Sequence, residues 1–142
     1  MAQWIETKLR YDKMCENGVV KKVNEPYLVD ALSFTEAESR IIEEREPYVS
    51  GEFTVSAAKK VKISEVIGDM DASRFYLAKV GFVKIDEKNG VEKTAVTQLL
   101  VGDEDFQAAY GTLLVELRKS MSDWKILSLA ETGILEIYPA KL

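Results

Sequence analysis

The sequence predicts an α+β domain built from two tandem strand-strand-helix-strand (ββαβ) units, with a mostly antiparallel sheet that carries both helices on one face. Three observations lead to this class. Apolar and polar residues alternate over several segments, as in strands, and two Asn-Gly dipeptides each lie between two such segments. Each pair of segments is followed by apolar residues spaced as on one face of a helix. Two helices so widely spaced are too few for strand-helix-strand crossovers, which favours antiparallel pairing.

Two hairpins are predicted around Asn17-Gly18 and Asn89-Gly90, because Asn-Gly is the strongest short signal for a two-residue turn of type I′. A two-residue turn would place Arg10 opposite Glu25 and Lys8 opposite Tyr27 in the first hairpin. In the second hairpin it would place Asp86 opposite Lys93 and Val83 opposite Val96. Further strands are expected at about 52–67, 74–86 and 125–138.

A helix is predicted to begin at Ser33, because Ser33-Phe34-Thr35-Glu36 has the spacing of a capping box, and to end at Pro47. A second helix is predicted after the acidic run 103–105, since negative charge is favourable at a helix N-terminus. Its apolar stripe is the wider of the two and comprises Phe106, Ala109, Tyr110, Leu113, Leu114, Leu117 and Met121.

Internal duplication is suggested by the 72-residue spacing of the two Asn-Gly turns and by the same order of elements after each. The expected organisation is a single domain, 1–142, with pseudo-repeat halves at about 1–71 and 72–142. The alternative is that hairpin, helix and strand form a common arrangement and that the match is coincidental.

Composition predicts a folded, cytoplasmic protein without a membrane span. Apolar residues make up 46% and charged residues 30% of the 142 residues, and the uncharged apolar runs are too short to cross a bilayer. The start of the chain does not resemble a signal peptide, and Cys15 is the one cysteine, as expected in a reducing compartment.

The chain contains no histidine, which excludes Ser-His-Asp, Cys-His and histidine-metal chemistry within one chain. We therefore expect no enzymatic activity, no cofactor and no metal. Asp69 and Asp71 could hold a divalent cation through their carboxylates, but two aspartates beside a glycine are more typical of a turn.

The segment 25–44 (EPYLVDALSFTEAESRIIEE) and the upstream segment 4–8 (WIETK) resemble an uncharacterised family found in Bacteroidales bacteria and their phages. The resemblance covers nearly the whole chain. It implies a domain of unknown function with a phage association, and it supplies no activity, substrate or catalytic residue.

The candidate binding face predicted from the sequence comprises Trp4, Lys8, Arg10 and Tyr27 on the first hairpin. Aromatic rings interleaved with cations hold single-stranded nucleic acid by stacking and by phosphate contacts. The net charge is −5, with +2 in the hairpin segments (1–35 and 72–102) and −7 in the helix-bearing segments (36–71 and 103–142). The charge separation would leave the sheet free to meet a partner.

Two functions therefore remain open. The first is a small non-catalytic intracellular interaction module that binds a protein partner, or a second copy of itself, through a sheet face. The alternative is a phage or mobile-element accessory protein that binds single-stranded nucleic acid through the candidate face.

Overall fold

The computed structural model describes residues 3–140, which form eight β-strands, two α-helices and a short 3-10 helix. The α+β class is confirmed. In chain order the elements are β1 (Trp4–Met14), β2 (Val20–Asp30), α1 (Phe34–Arg45), the 3-10 helix (Glu46–Tyr48), β3 (Phe53–Lys60), β4 (Glu65–Gly68), β5 (Arg74–Asp86), β6 (Val91–Asp103), α2 (Phe106–Leu117), β7 (Trp124–Glu131) and β8 (Ile137–Tyr138).

The strands of residues 3–140 form two sheets of four rather than the one shared sheet that we expected. Their orders are β3-β1-β2-β8 and β4-β6-β5-β7. In each sheet three antiparallel strands are joined by one short parallel strand. The two hairpins do not pair with each other, because each already has a strand on both of its outer edges.

The chain divides into two compact units. Unit 1 takes residues up to Val61 and again from Gly133 onward, and unit 2 is Lys62–Thr132. Their bounds differ from the predicted halves because the strand that follows each repeat pairs in the other unit's sheet: β4 extends the sheet of unit 2, and β8 that of unit 1. That the chain acts as a single domain stays a prediction.

Each unit has a core between its helix and one face of its own sheet, which we call the helix side. In unit 1, Ala37 and Ile41 of α1 pack with Ile5, Leu9 and Val29. In unit 2, helix α2 contributes Ala109, Leu113 and Leu117 to the corresponding cluster. None of the helices within 3–140 is long and apolar enough to span a membrane.

Both helix starts are capped by a side chain, as the sequence predicts. Ser33 Oγ accepts a hydrogen bond from the Glu36 backbone N–H at 3.1 Å, and Asp105 Oδ1 accepts one from Ala108 N–H at 2.8 Å. The Glu36 carboxylate reaches back to Leu32 N–H at 2.9 Å, which completes a capping arrangement. Helix α1 then ends just before Pro47.

The predicted register is wrong in the first hairpin because its loop has three residues instead of two. Cys15 N–H donates to Val19 O at 2.9 Å and closes the loop at 16–18. Gly18 has a φ of 78°, whereas positive φ is absent from the non-glycine residues of 3–140, so Asn17 cannot form a type I′ turn. Arg10 consequently pairs with Asn24, and Lys8 pairs with Pro26.

The second hairpin has a four-residue loop at 87–90, closed by a hydrogen bond from Gly90 N–H to Asp86 O at 2.7 Å. The register therefore shifts by two residues, so that Asp86 faces Val91 and Val83 faces Thr94. A shift of two keeps every side chain on its predicted face, whereas the shift of one in the first hairpin moves side chains to the opposite face.

The pairing pattern supports internal duplication in more detail than the sequence does. In both units the strand after the helix pairs with the first hairpin strand across a β-bulge, located between Lys8 and Leu9 in unit 1 and between Lys79 and Val80 in unit 2. The two helices are 72 residues apart, and these bulges are 71 residues apart. Equivalent positions in the two units can therefore be assigned from the register.

Candidate functional site

The structure does not bring the four residues of the predicted face together. Trp4, Lys8 and Arg10 alternate along one face of β1, but Tyr27 pairs with Thr7 and lies on the helix side instead. Trp4 is 5% exposed and Tyr27 is 1% exposed, so neither ring is accessible for a base to stack on. Lys8 and Arg10 are exposed.

Tyr27 belongs to a polar cluster on the helix side of unit 1, centred on Arg45 at the C-terminal end of α1. The Arg45 guanidinium carbon lies 4.9 Å from the centre of the Tyr27 ring and 4.8 Å from that of the Tyr48 ring. Such distances are typical of cation–π contacts. Arg45 therefore bridges a buried tyrosine and an exposed one.

The remaining contacts of Arg45 come from the C-terminal segment of the chain. Its Nη1 lies 3.7 Å from Glu136 Oε2 and donates a hydrogen bond to Tyr138 Oη at 3.5 Å. Tyr138 in turn donates to Glu136 Oε2, at 2.6 Å. On the other side of the cluster, Tyr27 Oη donates to Glu25 Oε1 at 3.2 Å.

These contacts shift the pKa values of the cluster. Burial, followed by the hydrogen bond to Glu136, raises the pKa of Tyr138 to about 12. Tyr11 of β1, which packs against the same core and also bonds to Glu25, has its pKa raised to about 12 by burial and by that hydrogen bond. Burial also raises the pKa of Tyr27. For Arg45, burial lowers the pKa, but the hydrogen bond to Tyr138 and the charge interactions with Tyr27, Tyr138 and Glu136 outweigh that effect and raise it.

Neutral tyrosines around a permanently charged arginine are suited to holding α1 and β8 on the sheet, and they offer no group that would exchange a proton near neutral pH. Arg45 was not among the residues singled out from the sequence. Its partner Tyr138 is 93 residues away along the chain, so no local pattern could reveal the cluster.

The equivalent position in unit 2 is an open pocket of about 340 Å³. Tyr27 corresponds to Leu99 and Arg45 corresponds to Leu117, both of which line this pocket. Polar groups at its rim include Glu65 of β4 and Glu116 of α2. The same location is thus filled by side chains in one repeat and open in the other.

Both hairpins extend beyond the strands that flank them, as two-stranded arms. In unit 1 the β1–β3 pairing stops at Tyr11, while the β1–β2 pairing continues to Met14 and Val20. We call 12–22 the unit 1 arm. In unit 2 the β5–β7 pairing stops at Phe82, so 83–94 forms the unit 2 arm.

Each arm carries two exposed lysines directly opposite each other on the helix side. Lys13 faces Lys21 in the unit 1 arm, and Lys84 faces Lys93 in the unit 2 arm, at equivalent register positions. Like charges directly across a strand pair are destabilising. Lys93 is partly compensated by Asp86, whose Oδ2 lies 3.8 Å from its Nζ.

The opposite face of the unit 1 arm ends in an exposed apolar pair. Met14 and Val20 lie directly across from each other and are 74% and 56% exposed. The next pair on this face is Asp12 with Lys22, followed by Arg10 with Asn24. Together with the adjoining Arg10, which lies just outside the arm, this surface has an apolar tip, two cations and one acid, and we call it the arm face (Arg10, Met14, Val20, Lys22).

Asp69 and Asp71 lie at a shallow acidic hollow that also includes Asp103 and Glu104. Asp69 Oδ1 accepts a hydrogen bond from Asp71 N–H at 2.9 Å, as in an aspartate turn. Asp103 Oδ2 accepts one from the Thr112 hydroxyl at 2.7 Å. Within the part of the chain that the structure describes, no three acidic, cysteine or histidine side chains are grouped to hold a metal ion.

The fold and these sites define an α+β protein whose two units share one order of elements, with two hairpin arms and an arginine-tyrosine cluster described in unit 1. The chain belongs to the family described as Domain of unknown function (DUF4494), whose model matches residues 3–140. Neither the curated proteins nor the solved structures contain a match to this chain.

Proposed function

We propose that the chain is a non-catalytic interaction module of the cytoplasm that binds a protein surface through the arm face of unit 1. The observation that carries this proposal is the exposure of Met14 and Val20 as a directly opposed pair at the tip of the arm. Each apolar Å² removed from water contributes about 25 cal/mol, so a partner that covers this pair would be favoured.

The flanking charges support a partner with carboxylates around an apolar patch. Arg10, Lys22 and Asp12 lie on the same face as the apolar pair and are exposed, so the charged groups of this face sum to +1. The helix-bearing segments of the chain carry a net charge of −7, so a second copy of this chain has the complementary sign. We therefore propose self-association as the form of binding to test first.

Sedimentation velocity over a range of protein concentrations tests this proposal. We expect the wild-type chain to form dimers as its concentration rises, and the double variant Met14→Ser with Val20→Thr to stay monomeric. Val96→Thr is the matched control, because Val96 is an equally exposed valine on a strand outside the unit 1 arm. A wild-type chain that is monomeric throughout, or a double variant that dimerises as well as the control, would refute the proposal.

The facing lysine pairs favour a second candidate function, which is binding of single-stranded nucleic acid by a phage or mobile-element accessory protein. Two ammonium groups held across a strand pair can be bridged by one phosphate, which would relieve their repulsion. The contact would be electrostatic, since Trp4 and Tyr27 are buried and cannot provide the stacking that we expected.

Fluorescence anisotropy of a labelled oligonucleotide at several salt concentrations tests this second function. Affinity should fall as salt rises, with a slope of roughly 0.7 per phosphate neutralised on a single strand. The variant Lys13→Gln with Lys21→Gln should reduce that slope, whereas Lys125→Gln in β7 should leave it unchanged, since Lys125 lies outside both arms. Binding that is absent at low salt, or insensitive to salt, would rule this function out.

A further inference from the structure

The pocket of unit 2 occupies the place that Arg45 and its tyrosines fill in unit 1. Leu28 pairs with Ile137 in unit 1, and the equivalent Leu100 pairs with Val66 in unit 2. Glu136 therefore corresponds to Glu65, because each lies one position before the residue that pairs with this leucine. Both glutamates lie at the same edge of the site.

In unit 1 the equivalent site holds a guanidinium, between rings (Tyr27 and Tyr48) whose places in unit 2 are taken by Leu99 and Ser120. Arg45 enters it from the end of α1 and pairs with Glu136 at 3.7 Å. In unit 2 the equivalent helix position is Leu117, which is 2% exposed and too short to reach the rim as an arginine does. Glu65 thus keeps the carboxylate but has no arginine from its own unit.

The two carboxylates of the unit 2 pocket differ in their partners. Glu116 lies 3.4 Å from Lys119 Nζ, an exposed ion pair within one turn of chain. Over residues 3–140, Glu65 is exposed and forms no ion pair with any lysine or arginine. Glu65 is therefore the group that can receive a cation from outside.

The rest of the lining favours a guanidinium over an ammonium. Phe82 offers an aromatic ring, and Leu99 and Leu117 are buried apolar side chains, while Lys119, which also lines the pocket, is paired with Glu116. A guanidinium is planar, weakly hydrated and stacks on rings, whereas an ammonium is compact and strongly hydrated. A volume of about 340 Å³ lies within the range of small-ligand sites.

We propose that the unit 2 pocket binds an arginine side chain of a partner protein, with Glu65 pairing with the guanidinium and Phe82 contacting its face. This site lies on a different unit from the arm face and does not depend on the proposed function. An experiment could refute self-association through Met14 and Val20 and still support arginine binding, or refute arginine binding and still support self-association.

Titration of the isotope-labelled protein with N-acetyl-arginine methylamide, followed by amide NMR shifts, tests the site. The probe for comparison is N-acetyl-citrulline methylamide, which has nearly the same shape without the charge. We expect the arginine probe to shift the amides of Glu65, Leu99 and Leu117 and the citrulline probe to shift them far less. Equal shifts with both probes, or shifts confined to other residues, would overturn the proposal.

Two variants assign the binding to these residues. Glu65→Gln should weaken binding of the arginine probe about fivefold, which is the upper range for an exposed ion pair. Glu92→Gln removes the same charge from the unit 2 arm and should not change the affinity for the probe. Leu117→Arg would place an arginine where unit 1 has Arg45 and should block the probe. If Leu117→Arg does not fold, the Glu65→Gln variant is the test. An unchanged affinity of Glu65→Gln for the arginine probe would refute the assignment.

Discussion

Replacing Arg45 by leucine, the residue that unit 2 has at the equivalent position, removes the centre of the unit 1 cluster while keeping an apolar side chain there. The contact with the buried Tyr27 ring is worth about 2 kcal/mol and that with the exposed Tyr48 ring about 0.5 kcal/mol. The ion pair with the half-exposed Glu136 adds about 0.5 kcal/mol.

These gains are offset in part by the cost of burying the arginine. The Arg45 side chain is 15% exposed, and its Nε is buried without a hydrogen-bond partner among the described residues, a cost of about 1 kcal/mol that leucine would relieve. The net prediction is that Arg45→Leu lowers the free energy of unfolding by about 2 kcal/mol. The stability of Arg45→Lys should lie between that of the wild type and that of Arg45→Leu, because an ammonium keeps the charge but stacks less well on a ring.

Urea unfolding measured by tryptophan fluorescence suits this test, because Trp4 lies in unit 1 and Trp124 in unit 2. A Trp124→Phe background isolates the signal of unit 1. The control is Arg10→Leu, an exposed position on β1 of the same unit, which we expect to change stability by less than about 0.5 kcal/mol. An Arg45→Leu effect no larger than that of the control would show that the cluster contributes nothing to stability.

Two further predictions concern a close backbone contact and alkaline pH. Gly102→Ala should lower the unfolding free energy by about 3 kcal/mol in urea denaturation, because an added Cβ would overlap the Asp69 carbonyl oxygen. Gly111→Ala, with open space around it on α2, should raise the unfolding free energy by about 1 kcal/mol, and equal effects of the two substitutions would contradict the packing argument. Since the pKa of Tyr11 and Tyr138 is raised from 10.0 to about 12, the stability that depends on their protonated form should be complete below pH 10.0 and lost as the pH rises through about 12. Absorbance at alkaline pH should show that these two phenols ionise only near pH 12. Ionisation of the same two phenols near pH 10.0 in the folded chain would contradict the cluster geometry.

The sequence predicted the types of element well because they depend on local patterns. The strand expected at 74–86 is β5 with the same bounds, and Ser33 caps α1 as its spacing requires. The sheet arrangement was not predictable in this way. The short parallel strands β4 and β8 are four and two residues long, and nothing in so short a run indicates which hairpin it will join.

The candidate face depended on a register that the sequence alone could not settle. An Asn-Gly pair is compatible with loops of two, three or four residues, and one extra loop residue in the first hairpin was enough to turn Tyr27 away from Lys8. The Arg45 cluster was missed for a related reason, since it joins residues from β2, α1 and β8 that lie far apart along the chain.

The interrupted path of unit 1 has a consequence for biosynthesis. All of Lys62–Thr132 is translated before Gly133, so a growing chain holds every residue of unit 2 while the earlier unit still lacks β8, the strand that carries Tyr138. Unit 1 can therefore complete its sheet only after all of unit 2 has been synthesised. A premature stop codon at position 133 would leave unit 2 intact and damage the N-terminal unit instead.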